Sequence, residues 1–489
     1  MEQIIQYFHE KSVTLFIELM GEFFKSPKDF AGFATGVKDE VNKLGLLVVK
    51  TALEMMDQMI CDSGKRKLEW TVEQGCEKEL ITSLGTVKFH KTLFENKQTG
   101  EMCYLLDRIL GLGKNERITE DALAAIYAEA VQTSYRKGGE AVSVLDTVSK
   151  QTVKNKLHEL KFPQQWVAPS RKKVVDYLYI EADEDHIALQ FREKKGDLER
   201  DENGRKNNHM ITKLVYVHEG VEPEAPKSTR YRLVNPYYFC STVKYTTNEQ
   251  MWDEVYAYLD AQYDLDKVKR IYVSSDGGCW IKSGMRRISG LVHVLDGYHL
   301  GISIRKMVNH MKDSADDAAD EIRKVIRTGT KQEFEELSER LAGYFEKEPG
   351  KSFTDNRDFI LSHWSAAKCR LSGATGKVGS STEGHVYHVL SSRMSTLAMG
   401  WSMKGADRMA RLRAYYLNGG DMLELARFQK QELPAAAGAE EMKYLTGGDV
   451  INMKETLHGM IGKYHDAISH SISLQNKKKI YFQTHIWGL

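Results

Sequence analysis

The sequence predicts an α+β, multidomain chain with an α/β core in its middle, interrupted by a helical insertion. Three observations carry this. At 489 residues the chain is too long for one hydrophobic core. Between residues 174 and 295, β-branched and aromatic runs recur with a helix among them. On either side, apolar residues return every three or four positions, the helical period.

Composition narrows the class. Apolar residues at 42% and charged residues at 28% are ordinary for a globular chain. Basic residues (69) and acidic residues (68) leave a net charge of +1, which neither favours nor excludes a polyanionic partner. Cys61, Cys76, Cys103, Cys240, Cys279 and Cys369 contain no C-x-x-C pair. That argues against a zinc finger or a disulfide framework and suits a reducing cytoplasm. The N-terminus lacks the basic start and apolar run of a signal peptide. No stretch reaches the ~18 apolar residues of a membrane span, so a cytoplasmic location without membrane contact is expected.

Residues 1–62 read as helix, with Ile4, Ile5, Phe8 and then Leu15, Phe16, Leu19, Met20 at helical spacing. Packing or dimerisation is their expected role. Residues 63–116 read as a small β-containing region. Thr86–Phe94 alternates like a strand, Asn96–Gly100 is a turn, and the basic run Lys65–Lys67 is a candidate DNA contact.

Residues 117–162 read as three short helices in a helix-turn-helix-like DNA-binding domain. The third opens at Ser149 and sets Lys150, Gln151, Thr152, Lys154, Asn155 and Lys156 around an inner Val153 and Leu157. Small polar and basic residues over the first turns suit a recognition helix, reading base edges while its lysines meet phosphates. A solvated helix face is the plainer alternative.

Phe162-Pro163 and Ala168-Pro169 break the chain, and residues 170–300 read as the first part of the core. Val174–Gln190 reads as strand, acidic turn, strand. Ile211–His218 and Arg230–Val234 are further strands, Asn248–Leu259 a helix, and Val268–Ser274 the next strand. A meander of three strands followed by helix and strand is how a ribonuclease-H-like core begins. Lys194–Asn208 reads as an exposed loop. Residues 301–370 are a charged helical insertion, 371–430 the second part of the core, and 431–489 a C-terminal region with Lys477–Lys479.

Acids at strand ends supply the chemistry. Asp276 follows Ile271-Tyr-Val-Ser-Ser and precedes Gly-Gly; Asp296 follows Leu291-Val-His-Val-Leu and precedes Gly-Tyr-His299. Two-metal phosphoryl transfer needs hard oxygen ligands on neighbouring strands plus one from a helix. Asp183, Asp276 and Glu383 fit that order, with Asp185 sharing the parity of Asp183 and standing as its alternative. Each has a plainer reading. Asp183 sits in an acidic turn, Asp276 can be a turn former, Asp296 and His299 can be a structural pair, and Ser380-Ser-Thr-Glu383 fits a capping box.

Four stretches carry a family resemblance: Tyr179-Ile-Glu-Ala-Asp-Glu-Asp-His186, Val273-Ser-Ser-Asp-Gly-Gly-Cys-Trp-Ile281, Leu295-Asp-Gly-Tyr-His-Leu300, and Gly379-Ser-Ser-Thr-Glu-Gly-His-Val-Tyr-His-Val-Leu-Ser-Ser-Arg-Met394. Together they resemble the transposases of Lre-type bacterial insertion sequences, in the Mutator-like superfamily of DDE recombinases. The likeness extends to Gly85-Thr-Val-Lys-Phe and Ile109-Leu-Gly-Leu112. It implies a ribonuclease-H-like catalytic domain with Asp183, Asp276 and Glu383 as metal-binding triad. Asp296 and His299 match an Asp-x-x-His element and become accessory residues. Mg²⁺, with Mn²⁺ as substitute, is the implied cofactor. Double-stranded DNA and a second copy of the chain are the implied partners, and a bacterial nucleoid the implied setting. Arg393 is a further candidate DNA contact. Trp280 and Trp401 are candidates for stacking on a displaced base or for core packing. The implied reaction cleaves element ends and joins their 3′-hydroxyls to target DNA. A catalytically silent DNA-binding derivative and a nuclease that cuts without joining are the alternatives.

Overall fold

The computed structural model describes residues 2–431 except 114, 192–198, 201–205, 346–347 and 398. Most of the expected 194–208 loop and nearly all of the C-terminal region, Lys477–Lys479 included, lie outside the described residues. The described residues form two compact units, 2–126 with 140–148 and 429–431, and 127–139 with 149–428. Among the described residues no helix is long and apolar enough to cross a membrane.

After a short helix at Glu2–Tyr7, the first unit continues in helices α1 (Val13–Lys25) and α2 (Phe30–Asp62). Pro27 lies in the break between them, and Asp29 caps α2 by accepting the Gly32 N–H at 3.0 Å. Strands β1 (Trp70–Thr82) and β2 (Gly85–Asn96) follow as a long hairpin, paired out to Thr82 and Gly85. Gly85 turns the chain at φ +139°, a conformation only glycine adopts freely. Ile60, Trp70, Phe89, Phe94, Leu105 and Leu106 form its core. The expected strand at Thr86–Phe94 and the turn after it are present, whereas β1 was not expected. Arg66 was expected to be an exposed cation. Arg66 is buried, donating to the carbonyls of Ile60 and Trp70 at 3.2 and 3.1 Å, so it is a structural residue and not a DNA contact.

The helices expected within 117–161 are present at Glu120–Ala130, Tyr135–Glu140 and α3 (Lys150–Glu159). Ser149 caps α3 through the Thr152 N–H at 3.2 Å. Val153 and Leu157 are buried, and α3 packs within the second unit.

A five-stranded mixed sheet organises that unit: β3 (Tyr177–Ala188), β4 (His209–His218), β5 (Tyr237–Thr242), β6 (Arg270–Ser275) and β7 (Leu291–Leu295). Its order is β5-β4-β3-β6-β7. The first three are antiparallel neighbours; β6 and β7 run parallel to β3. Helix α4 (Asn248–Gln262) joins β5 to β6, and α5 (Cys279–Arg287) joins β6 to β7. One face of the sheet packs Leu178, Ile180, Ala182, Val215 and Val273 against Trp252 and Trp280.

Two expectations are corrected here. No turn interrupts β3: its ladder with β4 runs unbroken from Tyr179 to Ala188, so Glu181–Asp185 is strand. The third core strand is Tyr237–Thr242. Residues Tyr231–Leu233 pair instead with Val221–Pro223 in a separate ribbon. Trp280 and Trp401 are both core residues, with indole N–H groups donating to Glu184 (2.7 Å) and the Met394 carbonyl (2.8 Å).

Helices α6 (Gly297–Val308), α7 (Ala315–Thr328), α8 (Lys331–Ala342), α9 (Lys351–Ser362) and α10 (Trp364–Leu371) make up the insertion. They share a core of Leu300, Ile304, Ile322, Phe334 and Ile360. Chain then returns to the sheet at α11 (Thr382–Val386) and continues in α12 (Met403–Leu417).

Close packing of α5 on α4 gives a direct test. A Cβ on Gly284 would lie 2.1 Å from two ring atoms of the buried Trp252. Gly284→Ala is therefore expected to destabilise the second unit by ~2 kcal/mol or more, as overpacking does. A melting curve unchanged from wild type would refute this packing.

Candidate active site

Sheet register places the acids. Ser274 on β6 pairs with Glu181 on β3, so two residues further along each strand Asp276 stands beside Asp183. Ser275 pairs with Leu295 on β7, so Asp296 stands beside Asp276. Three aspartates thus follow one another across adjacent parallel strands.

Alternation along β3 puts Glu181, Asp183 and Asp185 on one face. Asp183 is half-buried, and its Oδ1 accepts the Glu184 N–H at 2.8 Å. Burial, and then the charges of Asp276 and Glu383, push its carboxyl up to about 7, against a lowering pull from that N–H and from His299. The same pattern shows that Asp183, Asp276, Glu383 and His299 lie within electrostatic reach of one another. Asp185 is engaged elsewhere, accepting the Ser395 hydroxyl at 2.9 Å.

Asp276 accepts the Gly278 N–H at 2.9 Å, closing the turn after β6. Gly277 takes φ +88°, and a Cβ there would lie 2.3 Å from His363 Nε2. The turn-forming reading of Asp276 therefore holds, and it keeps the carboxylate at the strand end.

Asp296 is the N-cap of α6, accepting the N–H groups of Tyr298 (2.9 Å) and His299 (3.0 Å) and facing His299 Nδ1 at 3.1 Å. Burial pushes its carboxyl up, but those bonds from His299 outweigh it and hold it at about 2. Bonding to Asp296 raises the His299 imidazole in turn, and its Nε2 lies 3.9 Å from Glu383. His299 thus bridges the β7 end to the Glu383 helix.

Glu383 arrives from 200 residues beyond Asp183, and Glu181 is what brings it in. Buried at 2% exposure, Glu181 accepts from Thr382 Oγ1 (2.6 Å), Tyr216 Oη (2.8 Å), the Ser381 N–H (2.9 Å), Ser380 Oγ (3.1 Å) and His218 Nε2 (3.3 Å). Burial raises its carboxyl, yet the bonds from His218, Thr382 and Tyr216 hold it at about 2. The capping box is not formed: Ser381 is the N-cap and makes no side-chain cap bond. Ser380 and Thr382 spend their hydroxyls on Glu181 instead, and the Glu383 side chain stays half exposed. In sequence the only sign of a role for Glu181 is its shared parity with Asp183. Arg370 was not expected at the site. It donates to the Leu295 carbonyl (2.6 Å) and Ser274 Oγ (2.8 Å), tying the ends of β6 and β7 to the insertion.

Among the described residues no three His, Cys, Asp or Glu side chains are drawn together closely enough to enclose a metal ion. In chemistry the donors suit a hard divalent cation: three carboxylates, with negative charge that Asp183 registers as repulsion.

Of the candidate DNA contacts, Lys150, Gln151 and Asn155 are exposed and Thr152, Lys154 and Lys156 half-buried. Arg393 is not a surface cation. It is 5% exposed, its Nε donates to the Ala130 carbonyl at 3.1 Å, and its guanidinium lies 5.1 Å from the Trp401 ring. Burial lowers its pKa to about 10.

Comparison with known proteins places the chain among relatives of unassigned activity. A family model described as "Uncharacterised protein family (UPF0236)" matches residues 28–432. A UPF0236 protein of Caldanaerobacter subterraneus subsp. tengcongensis is 32% identical over 421 residues, 86% of this chain and 80% of its own length. Another from that organism is 31% identical over 430 residues, 88% of this chain and 86% of its own, and its name joins eleven loci. Among solved structures, the Drosophila P element transposase strand transfer complex aligns with 65% of this chain and 82% of its own. Its TM-score is 0.23 at 10% identity, too low to bear on fold or function.

Proposed function

The chain belongs to the uncharacterised protein family UPF0236, and we propose that it is a DDE-type DNA transposase with a ribonuclease-H-like core. The observation that carries this is the register that sets Asp183 beside Asp276 at one end of β3 and β6, with Glu383 near enough for its charge to act on Asp183. The strand order β5-β4-β3-β6-β7, antiparallel then parallel, supports the ribonuclease-H-like reading. A relative whose name joins eleven loci of one organism has the distribution expected of a mobile element.

On this reading Asp183, Asp276 and Glu383 hold Mg²⁺, or Mn²⁺ in its place. When bound, the metal supplies an activated water or 3′-hydroxyl and stabilises the leaving oxygen. The protein's own part is placement. Asp276 is fixed by its turn, and Glu181 anchors the segment that carries Glu383. Asp296 orients His299, which sits between the triad and the helix N-terminus. Lys150, Gln151, Thr152, Lys154, Asn155 and Lys156 are the proposed DNA-facing residues, and affinity that rests on phosphates falls steeply with salt. Two element ends must be processed together, so a homodimer is proposed. Ile17, Phe24 and Phe30 on the N-terminal helices leave apolar surface that a second copy would cover.

The test uses purified protein, Mg²⁺ and a labelled duplex bearing the terminal repeat that flanks the gene. The expected result is a 3′ end cut free and then joined to plasmid DNA. Cutting without joining would reduce the protein to a nuclease. Binding without cutting would leave the silent DNA-binding derivative.

A further inference from the structure

The second unit holds a cavity of about 650 Å³ that the carboxylate chemistry does not use. Its walls come from the first turns of α3, the start of the Tyr135–Glu140 helix and the 399–402 segment, with Arg393 among the residues lining it. Charge is one-sided: Arg136, Lys150, Lys154 and Arg393 line it, and no carboxylate does among the described lining residues. Aromatic surface is present too. Tyr135 and Trp401 meet edge to face with centroids 6.1 Å apart, and Arg393 lies over both rings. Arg393 is the telling group. It is nineteen-twentieths buried, its Nε and Nη1 contact the Ala130 carbonyl and Met399 sulfur, and its Nη2 makes no hydrogen bond among the described residues. The guanidinium is thus held in place with one donor left for an acceptor that enters the cavity.

Cations at the rim and rings with a spare donor inside match a ligand that carries a phosphate and a flat, acceptor-bearing ring. The cavity also connects to the acids. The Trp401 N–H donates to the Ala188 carbonyl and the Gln190 N–H to the Trp401 carbonyl, both at 2.9 Å, so the cavity wall is stitched to the end of β3. Gln190 is seven residues beyond Asp183, roughly 23 Å at ~3.3 Å per residue. A DNA strand covers that distance in about seven nucleotides.

We propose that this cavity holds one unpaired nucleotide of the DNA strand being processed, its phosphate at Lys150 and Lys154 and its base against Tyr135 and Arg393. The proposal deepens the transposase reading by naming where a displaced nucleotide is lodged, and it rests on that reading for the identity of the strand. It also changes the role of α3, whose first turns line this cavity as well as facing outward.

The test measures binding of the full chain to a fluorescent oligo(dT) of about 12 residues and to a duplex of equal length. Ser134→Trp, at an exposed lining position outside α3, fills the cavity without altering charge. It is expected to weaken oligo(dT) binding at least tenfold and to change duplex binding far less. Lys150→Gln with Lys154→Gln is expected to weaken oligo(dT) binding at low salt. Unchanged oligo(dT) binding in Ser134→Trp would overturn the proposal. An equal loss on both DNAs would overturn it in favour of α3 as a groove-reading helix. Displacement of oligo(dT) by micromolar dTMP would replace the strand with a free nucleotide as ligand. Joining activity is a separate readout: its absence from the wild type would sink the transposase reading while leaving the oligo(dT) result to stand or fall alone.

Discussion

Asp183→Asn is expected to abolish DNA cleavage and joining while making the metal-free protein more heat-stable at about pH 8. Loss of a metal-binding carboxylate removes the proposed chemistry outright, by a factor of at least ~10³ on the scale of direct charge stabilisation. The stability gain has a separate cause. Burial and the neighbouring carboxylates hold the folded Asp183 at about 7 against an ordinary 3.8. Ionising it in the folded protein therefore costs ~4 kcal/mol at ~1.4 kcal/mol per pKa unit, which partial exposure reduces to ~2 kcal/mol. The sign follows from linkage. Below pH 3.8 the group is protonated folded or unfolded, and no penalty exists. The penalty grows between 3.8 and about 7 and is complete above. Asparagine keeps the acceptor for the Glu184 N–H and carries no charge. Melting curves should thus separate by roughly 5 °C at high pH and converge near pH 4. Added Mg²⁺ should stabilise wild type more than the variant. Coincident curves at high pH would mean that Asp183 bears neither the burial penalty nor the repulsion of its neighbours, and the proposed triad would lose its electrostatic support.

The second large effect belongs to a residue with no proposed metal contact. Glu181→Gln is expected to fold, to bind DNA, and to lose most cleavage activity. An amide in place of the carboxylate turns one acceptor into a donor, facing the hydroxyls of Thr382, Tyr216 and Ser380. The 380–382 segment must then shift, and Glu383 moves with it. Glu181→Ala goes further, leaving those donors and His218 buried without an acceptor, at ~3–5 kcal/mol for a broken buried network. As a positioning residue, Glu181 should lower turnover without changing DNA affinity, and Glu181→Asp should restore part of the turnover. Its pH signature is opposite to that of Asp183. The folded carboxyl sits at about 2 against an ordinary 4.5, so its stabilisation is whole above pH 4.5 and drains as pH falls towards 2. Full activity in Glu181→Gln would mean that Glu383 is placed by something else.

Read alone, the sequence determined the local features. Apolar alternation and glycine located the ends of β6 and β7, and with them Asp276 and Asp296. Helical spacing located the N-terminal helices, α4 and the insertion, because each of those patterns is written within ten or fifteen neighbouring residues. Tertiary structure decided whatever depended on partners far along the chain. Parity left Asp183 and Asp185 equivalent; register with β6 set Asp183 beside Asp276, while Ser395 took Asp185. An acidic run that looks like a solvated turn became strand because β4 pairs along its whole length. Arg66 and Arg393 look like surface cations in sequence, yet carbonyls and rings contributed by the fold let both be buried. The same holds for Glu181. A carboxylate is tolerated in a core only when donors surround it, and its donors come from β4 and from a segment 200 residues away.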